Sequence, residues 1–181
     1  SIYAEKLGYG VAEQVDSDVL GLYTGLTTTD VGAYGTDVDD EVMVAARLAL
    51  DLNDVPMDNR AYIVSPYQAA ALMKIDKYVR ADAIGSVNEP GFIRKGPNSR
   101  YLWGEVYGTP VYYTNNIPTT AGTPTQTHNV LIHKEAWALA MQTAPRLQAQ
   151  YLVSALAWVV VVDTIYGVVT TRAGFGVELR S

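Results

Sequence analysis

Histidine is the side chain used most often for proton transfer and metal binding near neutral pH, and this chain has two, His128 and His133. Their spacing of five differs from the HExxH motif, which places two imidazoles on one face of a helix. The sequence contains no cysteine, so thiolate metal sites, cysteine nucleophiles and disulfides are excluded. We therefore predict that each histidine is a hydrogen-bonded structural residue of a loop or a strand.

The motifs that mark serine nucleophiles and phosphate loops are also absent from the sequence. No serine lies in the GxSxG context of a nucleophile elbow, and no GxGxxG follows a predicted strand. Residues 91–99, GFIRKGPNS, carry Arg94 and Lys95 among glycines, but they lack the GxxxxGKS/T spacing of a phosphate loop.

Asp163 is the carboxylate that most invites a chemical role, because it lies within the apolar residues 151–169. Burial there would raise its pKa, and enzymes use such carboxyl groups in acid and base catalysis. A buried aspartate is more often satisfied by an arginine or by backbone N–H groups, and Arg172 is a candidate partner.

A second acidic group, residues 37–41, could suggest a cation site, but its spacing matches no calcium loop. We interpret it as the first turn of a helix, where negative charge suits the helix dipole. We identify no catalytic, cofactor-binding or metal-ligating residue, and we predict a structural role without a cofactor.

The composition is that of a folded protein with an acidic surface. Of 181 residues, 49% are hydrophobic and 18% are charged, enough for one sizeable domain or two small ones. The net charge of −6 disfavours direct binding to the phosphate backbones of nucleic acids.

The first half of the chain predicts three helices and a strand. Residues 2–26 form a helix because apolar residues recur at steps of three or four and share one face. A second helix begins with Thr36 as its N-cap and ends near residue 53. Residues 60–65 predict a strand, and Ser65 followed by Pro66 predicts the start of a short helix that continues to residue 75. The residues on the apolar face of the first helix are Leu7, Val11, Val15, Val19, Leu22 and Leu26.

The second half predicts strands separated by long connections. Residues 76–101 read as a long exposed loop, because glycines and prolines interrupt every period. Residues 103–116 predict two strands joined by a Gly-Thr-Pro turn. A Thr- and Pro-rich loop over residues 119–127 precedes a strand over residues 129–133. Periodicity does not decide whether residues 134–141 are helix or strand.

Residues 151–169, YLVSALAWVVVVDTIYGVV, contain one charge and approach the length of about 20 residues that a membrane helix needs. Their β-branched side chains suit a sheet better than a helix. Ala144 and Pro145 close the element before them. We therefore predict a long strand that is apolar on both faces and runs through the centre of a sheet.

These features, in this order, resemble the major capsid proteins of tailed bacteriophages, which have the Hong Kong 97-like fold. No single motif is a chemical signature, and the order and spacing of the pieces carry the resemblance. The pieces are residues 3–26, 37–53, 60–66, YGTPVYYTNNIP at 107–118, HKEAWALAMQ at 133–142 and VVDTIYGVVTTRAGFGVEL at 161–179.

The resemblance implies an α+β fold with two subdomains. A peripheral subdomain would comprise residues 1–36 and 145–181, with a spine helix over residues 2–26 and a sheet of terminal strands. An axial subdomain, residues 37–144, would gather around the five- and six-fold axes of a shell. The N-terminal arm and extended loop that precede the spine helix in the family are absent from this chain, which looks like a fragment of a longer product.

The resemblance also implies a function. Copies of the chain would form pentamers and hexamers of an icosahedral shell that encloses a double-stranded DNA genome without specific binding. Scaffolding, portal and decoration proteins are further candidate partners, and the shell would assemble in the host cytoplasm, away from membranes, and become the virion capsid. Residues 76–101 and 119–127 are the expected contacts between subunits or around the axes.

Three alternatives remain open. An encapsulin-type shell has the same fold and encloses cargo enzymes instead of a genome. A small hydrolase would use Asp163 or the acidic residues 37–41. A membrane-inserted protein would use residues 151–169.

Overall fold

The structure is a computed structural model that describes residues 2–75, Tyr78 and residues 102–181. The loop predicted over residues 76–101 lies, apart from Tyr78, outside the described residues. The described parts of the chain contain helices, a mixed main sheet and a separate two-stranded sheet.

The long N-terminal helix is present. Helix α1 spans Ile2–Leu20 and continues as a 3-10 helix over Gly21–Gly25, so the predicted helix over residues 2–26 is confirmed with a tighter last turn. Leu20 is buried, whereas Leu7 is exposed, so the apolar face is covered mainly toward the C-terminal end of α1. Within the described ranges, no helix is long and apolar enough to cross a membrane.

Helix α2 spans Asp40–Leu52 and begins later than the sequence predicts. Asp39 is the N-cap, because its extended backbone lets its carboxylate accept a hydrogen bond from the Val42 N–H at 2.9 Å. The predicted cap, Thr36, instead donates its hydroxyl to the Ala33 carbonyl oxygen at 2.6 Å in the preceding turn. The assignment of Thr36 as the cap is therefore wrong.

Helix α3 spans Pro66–Leu72 and starts as predicted. Ser65 is its N-cap and accepts a hydrogen bond from the Gln68 N–H at 3.4 Å, with Pro66 in the first turn. The helix ends three residues before residue 75, the predicted end.

The strands of the described residues are β1 (Val31–Gly32), β2 (Arg60–Val64), β3 (Leu102–Val106), β4 (Thr109–Tyr113), β5 (Thr119–Thr120), β6 (Gln126–His133), β7 (Trp137–Leu152), β8 (Ala157–Thr170) and β9 (Gly176–Arg180). The main sheet has the strand order β1-β9-β6-β2-β4-β3, and β5 also pairs with β6. Strands β2 and β4 are parallel, as are β1 and β9, while the other pairs are antiparallel. Strand β6 is central, because it pairs with β2, β5 and β9.

The hydrophobic core lies between α2 and one face of the main sheet, which we call the α2 face. The Tyr62 hydroxyl donates to the Met43 carbonyl oxygen at 2.9 Å, which satisfies a phenol inside the core. Burial raises the pKa of Tyr62, so its neutral form is the one that suits this site. The core includes Met43, Ala46 and Leu50 of α2 with Tyr62, Val64, Leu131, Val177 and Leu179 of the strands.

Two predicted loops contain more regular structure than the sequence suggests. The β3–β4 turn is formed by Tyr107 and Gly108, both at positive φ, rather than by Gly-Thr-Pro, because Thr109 and Pro110 already belong to β4. The Thr-rich loop contains β5, which pairs with the start of β6. The unsettled segment over residues 134–141 contains a turn and then the start of strand β7.

Residues 151–169 do not form the strand through the centre of a sheet that the sequence predicts. Strand β8 pairs with β7 in a separate two-stranded sheet, and Trp158 is 71% exposed. β-branched residues indicate a strand but do not specify which strand pairs with it, and shorter strands occupy the centre of the main sheet. Pro145 does not close the preceding element either, because β7 passes through it at a shift of register between Thr143 and Arg146.

The predicted subdomain limits differ from the division into sheets. Strands β1 and β9 fall in the predicted peripheral segments, residues 1–36 and 145–181, yet they pair in the same sheet as β6 and β2. The hairpin of β7 and β8 contacts α1.

Asn129 provides a test of this topology. Its side chain is fully buried: Oδ1 accepts the Ser65 N–H at 2.8 Å, and Nδ2 donates to the Ser181 hydroxyl at 2.8 Å. Asn129→Ala removes these partners, and we expect the free energy of unfolding to fall by about 2–3 kcal/mol in urea titrations. The exposed Asn115→Ala is the control and should change it by less than about 0.5 kcal/mol. Equal effects of the two substitutions would contradict the topology.

Candidate interaction surface and polar cluster

Both histidines lie in β6 and are hydrogen-bonded, as the sequence predicts. His133 is buried, its Nδ1 accepts the Glu135 N–H at 3.3 Å, and its ring meets Phe175 edge-on. His128 is buried on the opposite face of the sheet, among polar side chains from distant parts of the chain.

Asp163 is not in the predicted environment. It lies on the partly exposed part of β8, and its carboxylate accepts the Arg146 Nε–H at 2.7 Å and the Gln148 Nε2–H at 3.2 Å. Arg172, the predicted partner, pairs with Glu135 at 3.1 Å instead. The predictions of burial and of the Arg172 partner are wrong because β8 pairs with β7, which places position 146 directly opposite position 163.

The acidic residues 37–41 act locally. Asp39 caps α2, and Asp40 accepts hydrogen bonds from the hydroxyls of Tyr78 and Tyr107, each at 2.5 Å. Burial, and next the hydrogen bond to Asp40, raise the pKa of Tyr78. The predicted place in the first turn of the helix is confirmed for Asp40 and Glu41, while Asp39 is the N-cap. The described residues contain no group of three or more potential ligands arranged for a metal ion.

Sequence reasoning missed a polar cluster around His128. The His128 Nδ1 lies 2.7 Å from Oε1 of Glu178, and its Nε2 lies 2.9 Å from the Thr120 hydroxyl. The Tyr34 hydroxyl donates to the same Glu178 oxygen at 3.2 Å. The ring of Tyr23 stacks on His128 with centroids 4.4 Å apart, which attaches the 3-10 helix after α1 to the main sheet.

In this cluster, the Arg180 guanidinium lies between two carboxylates. Arg180 forms an ion pair with Asp30, and its Nε lies 3.5 Å from Oε1 of Glu178. Burial, followed by the negative charge of Glu178, raises the pKa of Asp30, while Arg180 opposes the change. Burial is also the main reason why the pKa of Tyr34 is raised. These contacts connect β9 with the residues that precede β1.

The second feature is a large apolar surface on the hairpin of β7 and β8. Residues 147–162, which we call the apolar ribbon, contain no charged residue. Along β8, Trp158 to Val161 alternate between the two faces, and all are exposed. The β7 residues on the same face as Trp158 are apolar, whereas Gln148 and Gln150 of β7 share the other face with Val161 and Val159. The exposed apolar residues of the ribbon are Leu147, Tyr151, Leu152, Val153, Leu156, Trp158, Val159, Val160 and Val161.

Helix α1 covers the hairpin only near its base. The Tyr166 hydroxyl donates to the Asp18 carboxylate at 2.5 Å, and α1 contacts both strands. A two-stranded hairpin alone is marginally stable in water, and a large contiguous apolar patch usually marks an interaction site. The apolar ribbon is therefore the candidate interaction surface of the described residues.

No protein-family model matches the sequence, and neither does any curated protein. Solved structures do match. A structure of Mycobacterium phage Che8 has a TM-score of 0.74 at 18% identity, covering 98% of this chain and 61% of that chain. The capsid of Cyanophage P-SCSP1u has a TM-score of 0.66 at 13% identity, covering 98% and 64%. The mature capsid of bacteriophage PhiM1 has a TM-score of 0.65 at 15% identity, covering 97% and 62%.

These similarities concern the fold. They confirm the predicted α+β, Hong Kong 97-like fold of phage major capsid proteins. The chain spans about three fifths of the length of these three solved chains.

The surface position of Asp163 gives a quantitative test. In a double-mutant cycle with Arg146→Gln and Asp163→Asn, we expect a coupling free energy of about 0.2–1 kcal/mol in urea unfolding, as for exposed ion pairs. The matched cycle is Glu135→Gln with Arg172→Gln, whose members are also exposed and paired. A coupling above about 3 kcal/mol for the first pair alone would indicate a buried ion pair and contradict the exposed hairpin.

Proposed function

We propose that this chain is the shell-forming part of a major capsid protein, whose copies assemble into an icosahedral shell enclosing the double-stranded DNA genome of a tailed phage. The observation that carries the proposal is the exposed apolar ribbon, residues 147–162, in a chain with the fold of phage capsid proteins. An isolated subunit leaves this surface in water, and neighbouring subunits would cover it.

The energetics favour association through the ribbon. Burying one valine or larger apolar side chain contributes about 1.5–3 kcal/mol, and the ribbon exposes nine of them. Because β8 exposes apolar side chains on both of its faces, a single partner would leave some of them uncovered, and contacts with more than one neighbour suit the geometry. Symmetric homo-oligomers provide such repeated contacts, and pentamers and hexamers of a shell are one such arrangement.

We propose a division into subdomains that follows the sheets. The peripheral subdomain would contain α1 and the hairpin of β7 and β8. The axial subdomain would contain the main sheet with α2 and α3. Strands β1 and β9, which the sequence analysis assigned to the peripheral subdomain, would therefore belong to the axial one. Residues 119–127, of which 119–125 are exposed, and the segment 76–101 remain the proposed contacts between subunits or around the axes.

The remaining proposals concern the enclosed DNA, the partner proteins and the location of the chain. The net charge of −6 fits a container that encloses DNA without binding it specifically. Scaffolding, portal and decoration proteins are the proposed further partners, and the proposed location is the virion capsid, after assembly in the host cytoplasm and without a membrane.

The alternatives are less well supported. Solved capsids of phages and of a GTA particle are similar in fold, which favours a phage shell over an encapsulin-type container. A hydrolase using Asp163 lacks support, because Asp163 pairs with Arg146 on an exposed hairpin. A structural role without enzymatic activity is therefore our proposal.

Substitutions in the apolar ribbon test the proposal. In Trp158→Thr/Val161→Thr, threonine keeps the strand preference but removes apolar surface from both faces. Expressed full-length, alone or together with the proposed scaffolding protein, the wild type should form shells of uniform diameter by negative-stain electron microscopy. The variant should lose at least about tenfold in particle yield, because several kcal/mol of apolar burial per contact are lost.

The control is Leu48→Gln, which removes an apolar side chain that is 56% exposed on α2, outside the ribbon. We expect shells at the wild-type yield from this variant. Urea unfolding of the ribbon variant should stay within about 0.5 kcal/mol of the wild type, which separates lost assembly from lost folding. Normal shells from the ribbon variant, or a wild type that remains monomeric in every condition, would contradict the proposal.

A further inference from the structure

Three side chains from separate strands are aligned across the face of the main sheet opposite the α2 face. Thr120 of β5 lies 2.9 Å from His128 Nε2, and Glu178 of β9 lies 2.7 Å from His128 Nδ1. His128 and Glu178 are buried, whereas Thr120 is exposed. The order is hydroxyl, imidazole and carboxylate, which is the arrangement that activates hydroxyl nucleophiles on unrelated folds.

The hydrogen bonds assign a role to each ring nitrogen. An ionised carboxylate has no proton to donate, so the Nδ1 of His128 donates to Glu178. In the neutral imidazole, Nε2 then carries the lone pair and accepts the hydrogen bond from the Thr120 hydroxyl. This is the tautomer in which an imidazole can take a proton from a hydroxyl group.

The surroundings hold the imidazole in this orientation. Tyr23 stacks on one face of the His128 ring at 4.4 Å, and Tyr34 meets it edge-on at 5.7 Å. The Tyr34 hydroxyl and the Arg180 guanidinium both approach Oε1 of Glu178, at 3.2 Å and 3.5 Å. These contacts fix the Glu178 carboxylate beside Nδ1 of His128. Of the three aligned residues, only Thr120 is exposed to water.

We propose that Thr120 is a nucleophile activated by His128 and is a site of acylation by activated esters. The Thr120 Oγ1 attacks the ester carbonyl carbon and forms a new C–O bond, while its proton passes to His128 Nε2. The bond from carbonyl carbon to the leaving oxygen then breaks, and the leaving group departs with that proton. The imidazole returns to its neutral form, and the product is an acyl-threonine ester.

Thr119 is the internal reference for this reactivity. It is exposed like Thr120 and is the adjacent residue of β5, but its side chain points to the other face of the strand. It lies beside Thr127 and Ile117 in a cleft of about 430 Å³ whose lining contains no histidine. The two hydroxyls therefore differ in their contact with His128 and share their residue type and strand.

The test uses the full-length protein and 4-nitrophenyl acetate. Nitrophenolate release measures the reaction with the ester, and peptide mass spectrometry locates the acetyl group. General-base assistance typically contributes about 10²–10⁴-fold, so we expect Thr120 to be acetylated at least about a hundredfold faster than Thr119. Thr120→Val keeps the shape and removes the hydroxyl, and it should lower release at least about tenfold. The matched variant Thr119→Val should not lower it.

Two further variants separate activation from structure. Thr120→Ser keeps the nucleophile and should retain release, whereas His128→Gln should reduce acetylation of Thr120 to the rate of Thr119. If His128→Gln does not fold, the ratio of Thr120 to Thr119 in the wild type decides by itself. Equal rates at the two threonines, or release in Thr120→Val equal to that of the wild type, would overturn the proposal. Shell formation is a separate readout, so failure here leaves the proposed capsid function unaffected.

Discussion

The structure depends on the burial of strand β6 on both faces. Four consecutive residues of β6, from His128 to Leu131, are buried, so the polar side chains among them must find partners inside the protein. Asn129 meets this requirement on the α2 face by binding Ser65 and Ser181, which joins the end of β2 to the C-terminal end of the chain. His128 meets it on the opposite face through Glu178 and Thr120. The other strands are therefore positioned by hydrogen bonds as well as by apolar packing.

The sequence correctly predicted the elements that depend on local interactions. The extent of α1 follows from its apolar period, and the start of α3 follows from Ser65 and Pro66, whose capping geometry needs no distant partner. The cap of α2 was misplaced because Thr36 and Asp39 are both good caps, and the choice depends on the turn that the Thr36 hydroxyl forms with Ala33. The order of elements also sufficed to identify the fold, which the similar capsid structures confirm.

Pairing between distant strands could not be read from the sequence. The β-branched residues of β8 indicate an extended strand, but they do not determine whether it lies in the centre of a sheet or in an exposed hairpin. That depends on pairing with β7, and the sequence analysis did not predict β7 because it ended the preceding element at Pro145. The candidate sites were missed for the same reason. Glu178 is fifty residues from His128, and no motif relates them, because the register of β6 and β9 alone brings them together. Likewise, Asp163 could be assigned to Arg146 only after the hairpin register was known.

The main sheet and the hairpin of β7 and β8 differ in which side chains they bury and which they expose. In the main sheet, even the charged groups on the face opposite α2 are paired within the chain, as Arg180 is with Asp30 and Glu178. In the apolar ribbon, uncharged strand segments expose Trp158 on one face and Val161 on the other, whereas exposed strands of soluble proteins usually carry charged side chains. A protein whose polar groups are paired within the subunit can fold before it associates. Its exposed apolar surface is then buried when subunits associate. Folding first and associating afterwards is what the proposed shell-forming role requires.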